Sequence, residues 1–220
     1  MTATPGLSTS ELRASIVQAL ERAVDSLDGG YAALLRDQLR DTEIDATLYG
    51  PAVFCLGLGQ LITGSEEKTL PVATALGLLE EMARVFVDLE AEPRAALVAA
   101  WDMPRALNSG DGFYAAAQRV LLNDRGLPDA QRLQALGVFS EGARVFSEAL
   151  QTWSGGGRGG VAKAARALYP AGASLTAICC SLDGETEARL GAIAEELASQ
   201  PNATLDGALR KAAALNLRDA

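Results

Sequence analysis

The stretch ALGLLEEMARVFVDLEAEPRAALVAAWDMPRALNSGDGFYAAAQRVLL, residues 75–122, decides the fold. In its first half Leu76, Leu79, Ala83, Phe86 and Leu89 recur at helical spacing, which sets one apolar stripe along a helix expected over 69–90. Pro71 fits the first turn, where the missing N–H has no intrahelical acceptor to lose. Pro93 ends the helix. After a short connector, Pro104 lies near the start of a second helix expected to reach Leu122.

Working outward, the helical period persists on both sides. Ser8 and Glu11 have the spacing of a capping box, and Leu12, Ile16, Leu20, Ala23, Val24 and Leu27 mark one apolar stripe until DGG at 28–30 stops it. A shorter helix is expected over 31–40. Pro51 opens PAVFCLGLGQLI, where Gly57 and Gly59 lower helix propensity and point to close helix packing before Thr63 and Gly64 end the segment. Downstream, Pro128 and Asp129 begin a helix running to about residue 152, and the glycine-rich 154–160 is expected as a flexible break. Shorter helices are expected over 161–168, 171–182, 185–199 and 204–217, with Pro170, DGE and QPN between them. Alternating strand patterns and hairpin dipeptides are missing. The expectation is an all-α, single-domain helical bundle over 1–220.

Composition narrows the chemistry. The 28 acidic and 19 basic residues give a formal charge of -9 with no cationic cluster, so no nucleic-acid partner is expected. No uninterrupted apolar run reaches about 18 residues, and the N-terminus lacks a basic n-region before an apolar one, so a cytoplasmic chain without a transmembrane segment is expected. The sequence contains no histidine, which removes Ser-His-Asp and Cys-His catalysis and His-ligated metals together. Its three cysteines, Cys55, Cys179 and Cys180, are too few for a zinc site without histidine and are expected as small buried side chains. GGGRGG satisfies G-x-G-x-x-G through Gly155, Gly157 and Gly160, but a helical segment precedes it where a dinucleotide site needs a strand. Asp37, Asp41 and Asp45 recur every four residues and are expected as a solvated helix face and exit.

Residues 51–122 resemble the trans-isoprenyl diphosphate synthases, the polyprenyl synthetase family. GPAVFCLGLGQLITG is similar to that family's RPxLxLLAxExxGG helix, LPVATALGLLEEMARVFVDLE to LPxAxALELLHxxSLIHDDIxD, and WDMPRALNSGDGFYAAAQRVLL to WGxxQAINAGDALFALAxxLL. A weaker continuation links LTAICCSL to KTAALxxxA, and the C-terminal part is expected to be shortened. The resemblance implies the isoprenoid synthase fold. It also implies aspartate-rich clusters that gather magnesium around an allylic diphosphate, because ionising the carbon–oxygen bond requires the leaving charge to be neutralised.

Those ligands are replaced. The positions matching D-D-x-x-D are Val87, Asp88, Leu89, Glu90 and Ala91, so the vestigial metal-motif positions Val87, Asp88 and Ala91 retain a single carboxylate. ATLYGP at 46–51 stands where the family has GKRxRP, EGARVF at 141–146 where it has EGQxLD, and Leu175 where it has the lysine before Thr176. No second D-D-x-x-D exists, and magnesium binding is expected to be lost, leaving no cofactor and no catalytic residue. The resemblance then implies a noncatalytic homologue, a pseudoenzyme acting as partner or regulatory subunit of an active prenyltransferase, or pairing with itself. Family members pair through two adjacent long helices, and Ala106, Gly110, Phe113 and Ala117 are the expected interface. The alternative is an isoprenoid-binding protein or a divergent prenyltransferase using another mechanism, with Met82, Ala83 and Phe86 as an apolar tunnel, which Arg84 disfavours if it points inward.

Overall fold

The computed structural model describes residues 8–27, 30–41, 47–90, 102–152, 157–215 and 217, and among them no strand occurs. Helix α1 (Thr9–Asp25) starts where its capping residue dictates: the Ser8 Oγ accepts the Glu11 N–H at 3.4 Å. Leu12, Ile16, Leu20 and Val24 are buried, and Ala23 and Leu27 pack half-buried beside them. Helix α2 (Gly30–Asp41) follows, with Asp37 exposed. Helix α3 (Gly50–Thr63) has Pro51 in its first turn and stops at Gly64, whose φ of 80° is left-handed and suits a residue without Cβ. Helix α4 is Leu70–Glu90, and α5 (Met103–Asn123) is capped by Asp102, which accepts the Arg105 N–H at 2.9 Å. Then come α6 (Asp129–Thr152), α7 (Gly157–Ala165), a 3-10 turn (Arg166–Leu168), α8 (Tyr169–Cys180), α9 (Gly184–Ser199) and α10 (Leu205–Ala213).

Helices α3 and α4 form the centre. Nearly all of α3 is buried, consistent with its lack of charge, and from Val72 to Glu81 every residue of α4 is buried. A helix apolar on all sides has to be enclosed by others. Around this pair lie α1, α5, α7 and α8, with α5 packed along α4 and α8 along α3. Close approach relies on glycine at two places. A Cβ on Gly57 would stand 2.7 Å from Leu209 of α10, and one on Gly110 would stand 2.6 Å from the Phe86 ring. The buried apolar residues run as one cluster from Leu12 to Leu217.

Three boundaries differ from expectation. The glycine stretch is helical from Gly157, because α7 packs on α4 and α6 and tertiary contact outweighs the propensity of its glycines; 153–156 lie outside the described residues. Pro170 lies in the first turn of α8 instead of between helices, where its missing N–H is harmless. The last helix ends at Ala213, short of the expected residue 217. The stop at DGG, the end at Pro93 and the connector 94–101 fall wholly or partly outside the described residues. Arg166 in the 3-10 turn donates to the carbonyls of Leu197, Ala198 and Gln200 and so closes the C-terminus of α9 from another element.

The glycines predict opposite signs for one substitution. Gly110→Ala is expected to destabilise the fold by about 1–3 kcal/mol, with part of the loss recovered by adding Phe86→Leu. Gly191→Ala in α9, where nothing lies within 4 Å of the new Cβ, is expected to stabilise by up to about 1 kcal/mol. Urea unfolding of the single and double variants measures both.

Candidate functional site

Positions 80, 84 and 88 share a face of α4, with 81 beside them, and this face carries charge into the interior. Glu80 and Glu81 are 0% exposed, Asp88 4% and Arg84 6%. The two glutamates share one partner, Tyr49. The Tyr49 backbone N–H donates to Glu80 Oε2 at 3.2 Å, and its phenol donates to Glu81 Oε1 at 2.6 Å. Tyr49 caps α3 in the left-handed region, at φ 56° and ψ 31°, a conformation that costs a non-glycine residue about 1–2 kcal/mol. Arg84 places its Nε 3.3 Å from Glu81 Oε1 and a terminal nitrogen 3.9 Å from Glu80 Oε2. From α1, Arg13 Nε donates to the Leu48 carbonyl at 2.8 Å, which fixes the residue before Tyr49.

Burial dominates the electrostatics of this cluster. It pushes the Glu80 carboxyl up to about 7, against the attraction of Arg84 and with the repulsion of Glu81 adding to it. Burial also holds the Tyr49 phenol well above its ordinary value, with neighbouring Glu81 acting in the same direction. Tyr169 of α8 is raised to about 12, again by burial first and Glu80 second. Both phenols therefore remain protonated at neutral pH, and the Tyr49 hydroxyl clamps Glu81 as a donor. The cysteines behave as expected for core residues: Cys55, 3.2 Å from Thr176 Oγ1, is pushed up to about 12 by burial, and Cys179 is also raised by burial.

The residues singled out in the sequence are placed as follows. Ala83 is fully buried, Met82 is half-buried against the core, and Phe86 packs its ring on Gly110 between α4 and α5. Arg84 does point inward, toward Glu81. Val87 packs half-buried on the core, Asp88 is buried, and Ala91 lies outside the described residues. Val87 carries no donor atom, Glu80 and Glu81 are held by Tyr49 and Arg84, and among the described residues no group of three His, Cys, Asp or Glu side chains is placed to hold a metal ion.

The expected interface requires correction. Ala106, Phe113 and Ala117 are 0% exposed and Gly110 is buried, because this face of α5 packs against the chain's own α4. The small residues of α5 mark a close approach that could serve either a partner or packing within the chain, and Gly110 meets Phe86 of the chain's own α4. Sequence reasoning missed Tyr49, Glu80 and Glu81 entirely. The only signal for them was the three- and four-residue spacing of the glutamates to Arg84, which is also that of an ordinary surface ion pair.

The cluster predicts a steep response to losing its cation. Arg84→Ala is expected to lower unfolding free energy by about 3–5 kcal/mol, since it leaves buried carboxylates uncompensated. Adding Glu80→Gln and Glu81→Gln to Arg84→Ala is expected to recover most of that loss. Chemical denaturation of both variants at neutral pH measures it.

No protein-family model matches this sequence, and no curated protein matches it. Solved structures do. A geranylgeranyl pyrophosphate synthetase from the archaeon Geoglobus acetivorans superposes with a TM-score of 0.67 at 17% identity, over 84% of this chain and 64% of that one. An FPP/GFPP synthase from Zymomonas mobilis gives 0.65 at 15% identity, over 94% and 89%. The geranyl diphosphate synthase small subunit from Antirrhinum majus gives 0.60 at 14% identity, over 97% and 94%. The chain thus spans less than two thirds of the length of the archaeal synthetase and nearly all of the small subunit. At these identities the likeness concerns architecture: the chain has the all-α fold of the trans-prenyl diphosphate synthases.

Proposed function

We propose that this protein is a noncatalytic homologue of the prenyl diphosphate synthases that serves as a partner or regulatory subunit of an active prenyltransferase. The observation that carries this reading is the interior of α4. Its glutamates are gripped by Tyr49 and Arg84, and Val87 packs on the core at the position of a metal-binding aspartate. Without gathered cations, the ionisation of an allylic diphosphate lacks the charge stabilisation that supplies the largest share of most enzymes' acceleration.

The partner role draws on two further observations. The small subunit from Antirrhinum majus matches over almost the full length of both chains; the Zymomonas mobilis synthase matches over 89% of its own, so coverage alone does not separate the two kinds of protein. The large apolar side chains exposed on α5 and α6 are Met103, Leu107, Leu122 and Leu133, at 41%, 44%, 47% and 66%. They supply the surface for pairing in place of the buried face first expected. No helix among the described residues is long and apolar enough to cross a membrane.

A second reading, an apolar-ligand binder, draws on a cleft of about 560 Å³ between α6, α8 and α9, lined by Val138, Val145, Pro170 and Ala198 with Glu141 and Glu195 also on its wall. This cleft is separate from Met82, Ala83 and Phe86.

Purified chain given allylic and homoallylic diphosphates with magnesium is expected to form no prenyl product, and turnover would overturn the proposal. Mixed with an active prenyl diphosphate synthase, it is expected to co-elute as a heteromer that Leu107→Asp with Leu133→Asp disrupts. A prenyl alcohol that raises the melting temperature of the isolated chain, without any complex forming, would favour the second reading.

A further inference from the structure

The grip on Tyr49 has an asymmetry that points to a second property. Glu81 is better served: its Oε1 takes the phenol and lies 3.3 Å from Arg84 Nε, an ion pair without the alignment of a hydrogen bond. Glu80 is served less well. Its Oε2 accepts the Tyr49 N–H and faces Arg84 at 3.9 Å, while its Oε1 is buried with no hydrogen-bond partner among the described residues. An ionised carboxylate in that position would present an unsolvated oxygen to the core, whereas a neutral carboxyl would not. Through Oε2 the same carboxyl holds the N–H of the left-handed residue that starts α3, so charge on Glu80 and the backbone of Tyr49 are mechanically joined.

We propose that Glu80 is the proton-binding element of a latch that holds the Tyr49 turn against α4, closed when the carboxyl is protonated and loosened when it ionises. The groups facing Glu80 set the balance. Arg13 faces it from α1, Tyr49 from the turn before α3, and Tyr169 from α8; Glu81 and Arg84 act from α4 itself, with Asp88 one turn beyond. Arg166 stands beside Tyr169 and is bound to the end of α9. The Arg84 guanidinium, 3.9 Å from Glu80 Oε2, is shared with Glu81, so ionisation of Glu80 places a second negative charge beside the same cation, and the attraction of Arg84 and Arg13 does not outweigh the cost of burial. Opening the turn lets water reach Glu80 and relieves that charge.

The sign follows from burial raising the Glu80 carboxyl to about 7 from an ordinary 4.5. Below the ordinary value both closed and open forms hold the proton, and the latch is at full strength. As pH rises the open form ionises first, so closure weakens progressively until the closed form also ionises near 7, and the loss is complete above that. For these two values the opening equilibrium grows about tenfold between roughly pH 6 and roughly pH 8.

Hydrogen exchange followed by mass spectrometry on the full chain, corrected for intrinsic base catalysis, reads the opening. Amides over 47–53 are expected to lose about tenfold in protection across that interval, in excess of any change in α9, and Glu80→Gln is expected to hold them constant. Equal protection at both pH values, or the same loss in Glu80→Gln, overturns the latch. Should Glu80→Gln fail to fold, the infrared spectrum of the unaltered protein decides. A protonated-carboxyl band present at mildly acidic pH and lost around neutrality supports the proposal, and its absence overturns it.

Discussion

A helix enclosed on every side leaves no water for its charges, and α4 carries Glu80, Glu81, Arg84 and Asp88 into such surroundings. Each must find its counterpart within the protein, because an isolated buried ion is far more costly than any packing gain can offset. The rest of the architecture can be understood from that requirement. Tyr49 adopts a left-handed backbone to bring both its N–H and its phenol to consecutive carboxylates, and Arg13 holds the preceding carbonyl from α1. Three segments distant in sequence are thereby tied at one point, and the start of α3 is fixed relative to α4.

The same tie bears on function. In the family that the sequence resembles, the end of this helix and the segment before α3 provide the groups that handle diphosphates. Here the segment contributes an uncharged tyrosine, and the helix directs its carboxylates toward it. Polar groups that satisfy one another inside a core stabilise and specify a conformation, and are no longer available to a soluble ion. The proposed loss of catalysis and the proposed latch both rest on this inward turn of charge, though on different consequences of it.

Much of the fold was legible. Period and punctuation located α1 and α3 through α6 to within a residue or two, since Ser8, Pro51, Gly64, Pro104 and Pro128 act locally on the backbone. The glycines at 57 and 110 correctly announced close packing, because a missing side chain matters only where something occupies its place. What they packed against was not legible: spacing along one helix carries no information about whether the neighbour belongs to the same chain, and Gly110 proved to meet Phe86. The start of α7 within a glycine run was hidden for a related reason, since its stability comes from α4 and α6. The Tyr49 grip was the least accessible of all. It joins residues 31 and 32 positions apart through a backbone conformation that local propensity disfavours.

Arg166 carries an implication for how the C-terminal region tolerates changes in length. Its guanidinium meets the last carbonyls of α9 at fixed places, so the register of that helix is set by a residue of the 3-10 turn before α8. Inserting one residue within α9 would rotate its terminus by about 100° and advance it by about 1.5 Å, carrying the carbonyls away from the cation. An insertion between Gln200 and Thr204, beyond the point of attachment, leaves this geometry intact. Variation in length among homologous chains should therefore accumulate in that short link and spare the helix before it.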